Sequence, residues 1–174
     1  MKIILRSLAA ILLMAGCAFA QGAPKADVSI GYSFLRLGGS GGVNQQGGAI
    51  SMAGYLNHWI GIAGDFGAYH ASPFGLSLNT YTFLAGPRFT ANRAGSVSPF
   101  VQVLFGGAHL TASLSGLSSG ATPFAISAGG GVDLRLTKHV ALRPQIDYLA
   151  LRSGGETLNA LRGSFGVVFR FGER

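Results

Sequence analysis

From Asp27 onward, apolar and polar positions alternate with a period of two, and the alternation stops and restarts to give eight segments. Successive side chains of a strand point to opposite sides, so this pattern predicts strands with two unlike faces. The closing segment shows it most plainly. Leu161, Gly163, Phe165, Val167, Phe169 and Phe171 share one parity, while Arg162, Ser164, Gly166, Val168 and Arg170 share the other. In a soluble sandwich the apolar face turns inward. In a membrane barrel the same face meets lipid and the charges fill the lumen.

The eight predicted strands cover 27–37, 49–56, 59–69, 76–90, 99–113, 122–136, 140–152 and 160–171. Longer Gly/Ser/Asn loops at 38–48, 70–75, 114–121 and 153–159 interleave with shorter turns at 57–58, 91–98 and 137–139. Long outer loops and short periplasmic turns are the asymmetry expected of an outer-membrane barrel. Most segments reach about 9–14 residues, enough to cross a bilayer at a steep tilt. Pro87 late in the fourth segment predicts a bulge or a rim position, and Gly106-Gly107 in the fifth a shift of register. The fold expected is all-β: an eight-stranded antiparallel up-and-down transmembrane β-barrel following a cleaved signal peptide.

The first twenty residues supply the address. Lys2 and Arg6 form a positive n-region, Ser7 to Gly16 a mostly apolar h-region, and Ala18-Phe19-Ala20 a small-x-small cleavage site. The domain plan is therefore a signal peptide at 1–20, a short leader at 21–26, the barrel at 27–171 and a tail at 172–174. Cys17 leaves one alternative, since Met14-Ala15-Gly16-Cys17 loosely resembles a lipobox; Met stands where Leu is usual, and a good cleavage site follows. Without Cys17 the mature chain has no cysteine and no thiol chemistry. Cleavage lowers the formal charge from +7 to +5 by removing Lys2 and Arg6. Charged residues are 11% of the chain and form no Lys/Arg cluster that could track a phosphate backbone, which argues against nucleic-acid binding. Mean hydropathy is +0.40, yet no apolar run after the signal reaches the ~18 residues of a membrane helix.

Several stretches together resemble the bacterial outer-membrane β-barrel domain family. They are GPRF, PFVQVLFGGAH, GGGVDLRLTKHVALRPQIDYL and the terminal LRGSFGVVFRF. That family includes the OmpA-type and OmpX-type eight-stranded barrels, and the flavour is that of acidobacterial proteins. The resemblance implies a porin-family-like protein of the Gram-negative cell outer membrane, exported and inserted by the barrel-assembly machinery. The aromatic end strand, with Phe165, Val167, Phe169 and Phe171, would be the insertion signal. Such strands commonly end in Phe, whereas here Gly172-Glu173-Arg174 follow Phe171. The partners implied are outer-membrane lipid and the export and assembly machinery, with the barrel a monomer.

Parity assigns eight charges to the lumen: Asp65, Arg88, Asp133, Arg135, Arg143, Asp147, Arg162 and Arg170. On the lipid face any of these Arg would cost roughly 2–4 kcal/mol at mid-bilayer. Arg pairs bidentately with carboxylates, so the set reads as an ion-pair network that plugs the barrel. A small anion-selective or gated pore is the functional alternative. Four histidines, His58, His70, His109 and His139, share no metal-ligand spacing. His109 and Ser113 raise the thought of a lipid A-modifying enzyme, but four residues along a strand separate them by about 13 Å. Trp59, Tyr32, Tyr69, Tyr81, Phe100, Phe124, Tyr148 and Phe171 fall near predicted strand ends and read as headgroup-level girdles. The function expected is a non-enzymatic integral outer-membrane protein with a structural or surface-interaction role and no cofactor or metal. A lipid A-modifying barrel enzyme, a small-solute channel and a soluble lipocalin-like barrel stand behind it.

Overall fold

The computed structural model describes residues 26–38, 42–72, 77–91, 93, 95–114 and 117–172. The predicted signal peptide at 1–20, nearly all of the leader and the last two residues of the tail lie outside them. Nine strand segments follow in order: β1 Ala26–Leu37, β2 Val43–Tyr55, β3 Ile60–Ala71, β4 Ser77–Thr90, β5 Val97–Leu114, β6 Leu117–Ala121, β7 Phe124–Arg135, β8 Val140–Ser153 and β9 Glu156–Phe171. Every pairing is antiparallel, and β1 pairs with β9. The sheet therefore closes on itself, as lipid requires, because an open edge would leave backbone groups unpaired.

Nine segments make eight strands. β6 and β7 both pair with β5 in a single register, Leu110↔Ala121 continuing into Gly107↔Phe124. The break falls at Thr122-Pro123, where proline has no N–H to give the ladder. Across the break the Ala108 N–H still donates to the Pro123 carbonyl at 3.0 Å.

The registers fix the barrel's dimensions. A circuit from Val28 passes Met52, Gly64, Ala85, Phe105, Ile126, Ala150 and Asn159. Asn159 accepts the Gly38 N–H at 2.6 Å, so the circuit closes ten residues up β1 from its start. Ten residues of shear over eight strands give a tilt of about 40° and a radius of about 8 Å. Only side chains fit in such a lumen.

β1 begins and β9 ends at one end of the barrel, here the terminal end; the other is the distal end. Strand rise and tilt then assign each outward side chain a level. Apolar outward residues fill a band about 25 Å tall, the height of a membrane's hydrocarbon region. It runs from Leu136 and Phe171 at the terminal end to Phe34, Phe83 and Phe124, all exposed. Above it each of the eight strands turns polar at one level: Arg36, Gln46, His70, Asn79, His109, Thr122, Arg152 and Asn159. The lumen changes in the opposite sense. Charges occupy its terminal and middle parts, while Leu35, Leu37, Tyr69, Leu149, Leu151 and Ala160 pack together at the distal end.

Three expectations about local structure need correction. Most of 38–48, 114–121 and 153–159 is strand: β2 starts at Val43, β6 pairs back on β5, and β9 starts at Glu156. The β8–β9 connection is the pair Gly154-Gly155, with φ of 58° and 93°. Positive φ at both residues is a type I′ geometry that glycine adopts without strain and that suits strand twist. Pro87 makes no bulge and Gly106-Gly107 no slip, because Ala85↔Phe105 and Arg88↔Gln102 belong to one register. The proline lacks only its own ladder bond.

The level assignment is testable on β5 alone. Val103→Arg, at mid-band, is expected to lower folding stability in lipid vesicles by roughly 2–4 kcal/mol, and Thr111→Arg, above the band, by about 1 kcal/mol or less. Urea unfolding of the two variants in the same vesicles measures the difference.

Candidate functional site

The inward parity of β1, β3, β4, β5, β7, β8 and β9 converges in the lumen. Five arginines, 88, 93, 143, 162 and 170, and four aspartates, 27, 65, 133 and 147, are buried there. Arg135 is half-buried at the terminal mouth. An isolated charge in such a place is expensive, so the geometry of pairing decides whether the interior can exist.

Two clusters share the load. Near the terminal end Asp133 takes the fork of Arg143, Nε to Oδ1 at 2.6 Å and Nη2 to Oδ2 at 2.8 Å. Arg170 adds a third bond to Asp133 at 3.2 Å. Asp27 accepts from Arg93 at 2.8 Å and lies 3.8 Å from Arg143. The Arg93 carbonyl in turn accepts from Arg135 at 2.9 Å and Arg170 at 3.3 Å. Arg93 also lies over the Tyr55 ring, 3.6 Å from its centroid. This residue stoppers the terminal mouth.

Deeper in, Arg162 bridges two aspartates. Its Nη1 is 2.5 Å from Asp65, and its Nη2 and Nε are 2.8 and 3.0 Å from Asp147. Asp147 also accepts from Gln102 at 3.2 Å and Gln145 at 2.7 Å. Gln102 joins the clusters, because its carbonyl oxygen takes Nε and Nη2 of Arg88 at 2.9 and 2.7 Å. Among the described residues Arg88 has no carboxylate partner. Ser51 accepts from it at 3.1 Å, and the Phe100 ring sits between Arg88 and Arg143, its centroid 4.6 and 4.8 Å from them. Aromatic faces are attractive to guanidinium groups, and more so where water is excluded.

Small inward residues make room for this chemistry. A Cβ on Gly129 would run into the Asp147 carboxylate, and one on Gly131 into the Phe100 ring. The Gly129-Gly130-Gly131 run therefore serves close packing.

The structure brings the eight parity-assigned charges to one lumen, and adds Asp27 and Arg93. Asp27 has the parity of Ser29 and Ser33, so the signal was present at the first residue of the strand. Arg93 lies in a turn, where period two says nothing. Tyr69 and Phe100, expected in the headgroup girdles, are instead 2% and 3% exposed inside the lumen. Tyr69 accepts or donates there with Ser33 at 3.5 Å and lies 3.4 Å from Arg162. On β9, Phe165, Phe169 and Phe171 are outward and exposed, with half-buried Val167 in the same row.

The histidines lie elsewhere. His58 and His139 are exposed in terminal-end turns. His70 bonds Asn79 at 2.8 Å and Ser72 at 2.9 Å, and His109 bonds Thr122 at 2.9 Å, all in the polar level above the band. Among the described residues no group of three His, Cys, Asp or Glu could hold a metal ion.

Closed topology, lumen charges and apolar exterior all match one kind of protein. A family model described as the outer membrane protein beta-barrel domain covers residues 7–171. The chain belongs to this family. Solved outer-membrane barrels superpose on it along almost their whole length. Neisserial surface protein A does so with a TM-score of 0.72 at 18% identity, over 83% of this chain and 96% of that one. Ail, the attachment invasion locus protein of Yersinia pestis, gives 0.65 at 21% identity, over 85% and 99%. The N-terminal barrel domain of OprF from Pseudomonas aeruginosa gives 0.61 at 16% identity, over 87% and 100%. At such identities the likeness concerns fold. No curated protein matches the chain in sequence.

Arg162→Met leaves Asp65 and Asp147 facing each other without a cation, and is expected to cost about 3–5 kcal/mol. The triple change Arg162→Met, Asp65→Asn and Asp147→Asn should recover most of that loss. Equilibrium unfolding in vesicles checks both.

Proposed function

We propose that this protein is a non-enzymatic integral outer-membrane barrel with a sealed lumen, contributing to the structure and surface of a Gram-negative envelope. The filled interior carries the reading. Two salt-bridge clusters occupy the terminal and middle lumen, and apolar side chains close the distal part. A cavity lined by Ser29, Ile30, Ser51, Asp65, Arg143, Gln145 and Phe165 measures about 20 Å³, room for about one water molecule.

The enzyme alternative needs an acid beside His109. Among the described residues the four aspartates point into the lumen, and Glu156 lies on β9, well round the barrel wall from β5. At the β8–β9 connection, only two residues long, surface interaction falls to the polar level of the strands themselves. The row Phe165, Val167, Phe169 and Phe171 on the last strand is the feature that the assembly machinery would read, and a monomer fits a sheet closed within the membrane band by the pairing of β1 with β9.

Purified, refolded protein in a planar lipid bilayer is expected to give no stepwise current above the lipid background. A reproducible single-channel conductance would overturn the sealed-lumen reading and favour the small-solute channel.

A further inference from the structure

On the lipid side of β7, β8, β9 and β1 lies an open groove of about 540 Å³. Its floor includes Gly130 and Gly163, and its walls are Tyr32, Phe34, Ile146 and Phe165. A Cβ placed on Gly163 would meet nothing within 4 Å, so the floor is open space rather than a tight strand contact. The groove sits in the middle and upper part of the apolar band, where the surrounding solvent is acyl chain.

A second, independent feature lies higher on the same wall, past the exposed Leu161 and Tyr148. Arg36 and Arg152 are outward-facing and exposed, whereas Arg88, Arg93, Arg143, Arg162 and Arg170 are buried inside. Arg36 follows Phe34 up β1, Arg152 follows Tyr148 and Ala150 up β8, and Asn159 stands between them on β9. Asn159 is opposite Ala150 on one side and bonds the Gly38 N–H on the other. Each arginine is thus one strand and two residues from Asn159, in opposite senses. Strand tilt turns that diagonal into a line at one level, with each step about 8 Å. Neither guanidinium has a hydrogen-bond or ion-pair partner among the described residues.

An acyl slot with two arginines and an amide above it at the hydrocarbon boundary has the chemistry of a site for a phosphorylated lipid. We infer that β8, β9 and β1 form a specific site for an anionic lipid, with one acyl chain in the Gly163 groove and the phosphate between Arg36 and Arg152. Arginine suits this place because its fork bonds phosphate oxygens bidentately. The opposite wall provides an internal control. A comparable groove of about 380 Å³ lies over Gly64, whose Cβ would also meet nothing within 4 Å. The strands above it carry Gln46, His70, Asn79 and His109 and no arginine. The inference needs only membrane insertion; it does not depend on whether the lumen conducts.

Native mass spectrometry of the folded protein released from detergent, titrated with phosphatidylglycerol, tests the site. One lipid per barrel is expected to be retained, with diacylglycerol and inorganic phosphate each retained far less. Arg36→Gln with Arg152→Gln, and separately Gly163→Phe, should each weaken retention by about tenfold or more, while Gly64→Phe leaves it unchanged. Heat-modifiable migration confirms that each variant is folded. Equal retention by wild type, the double arginine variant and Gly163→Phe would overturn the proposal. Equal loss from Gly64→Phe and Gly163→Phe would overturn it too, as would inorganic phosphate binding as tightly as the lipid.

Discussion

Lipid offers no hydrogen-bond partner to a peptide group, and the rest of this structure depends on that. Each backbone N–H and C=O in the band must find its partner in a neighbouring strand, so the sheet has to close. Closure with eight strands and ten residues of shear makes a tube only about 8 Å in radius. The outward parity must be apolar to suit the solvent. The inward parity, too narrow for bulk water, is then left to side chains that satisfy one another. Arg162 between Asp65 and Asp147, and Asp133 in the fork of Arg143, are the result. Such pairs are weak evidence for added stability, because desolvation offsets much of their attraction. Breaking one is nonetheless costly, and this ties the charged residues together as a set.

The exchange of the two faces at one level locates the edge of the membrane. Below it the chain is apolar outside and charged inside. Above it β1 has Leu35 and Leu37 inside with Arg36 outside, and β8 has Leu149 and Leu151 inside with Arg152 outside. The distal end is built like a small soluble barrel, and it stands on a membrane barrel made of the same strands. The parity never slips; only the content of each face changes. Arg36 and Arg152 stand at this level, higher on the same wall than the Gly163 groove.

How much of this was legible in the sequence follows from the same exchange. Where the outward face is apolar, period two marked the strands, and inward arginines such as Arg143 and Arg162 were assignable by parity alone. Above the membrane edge the contrast fades. Asn44, Gln46 and Gly48 of β2 face outward and Gln45 inward, so VNQQGG reads as a loop although it is strand. The supposed contrast of long and short connections was this effect, not an asymmetry of turns. Tyr69 and Phe100 show another limit: aromatic residues near strand ends suit a girdle by composition, but their parity is that of the lumen. Arg93 could not be found at all by alternation, because it reaches the terminal mouth from a turn. The whole network needed the register, which no single segment reveals.

Every strand passes from lipid to water at the level where its faces exchange. Spin labels placed one at a time at outward positions 101, 103, 105, 109, 111 and 113 of β5 test it directly, by accessibility to oxygen and to a water-soluble nickel complex in vesicles. The prediction is lipid-type accessibility from Val101 through Phe105 and aqueous accessibility from His109 onward. Aqueous accessibility at Val101 and Val103, or no change along the strand, would contradict it.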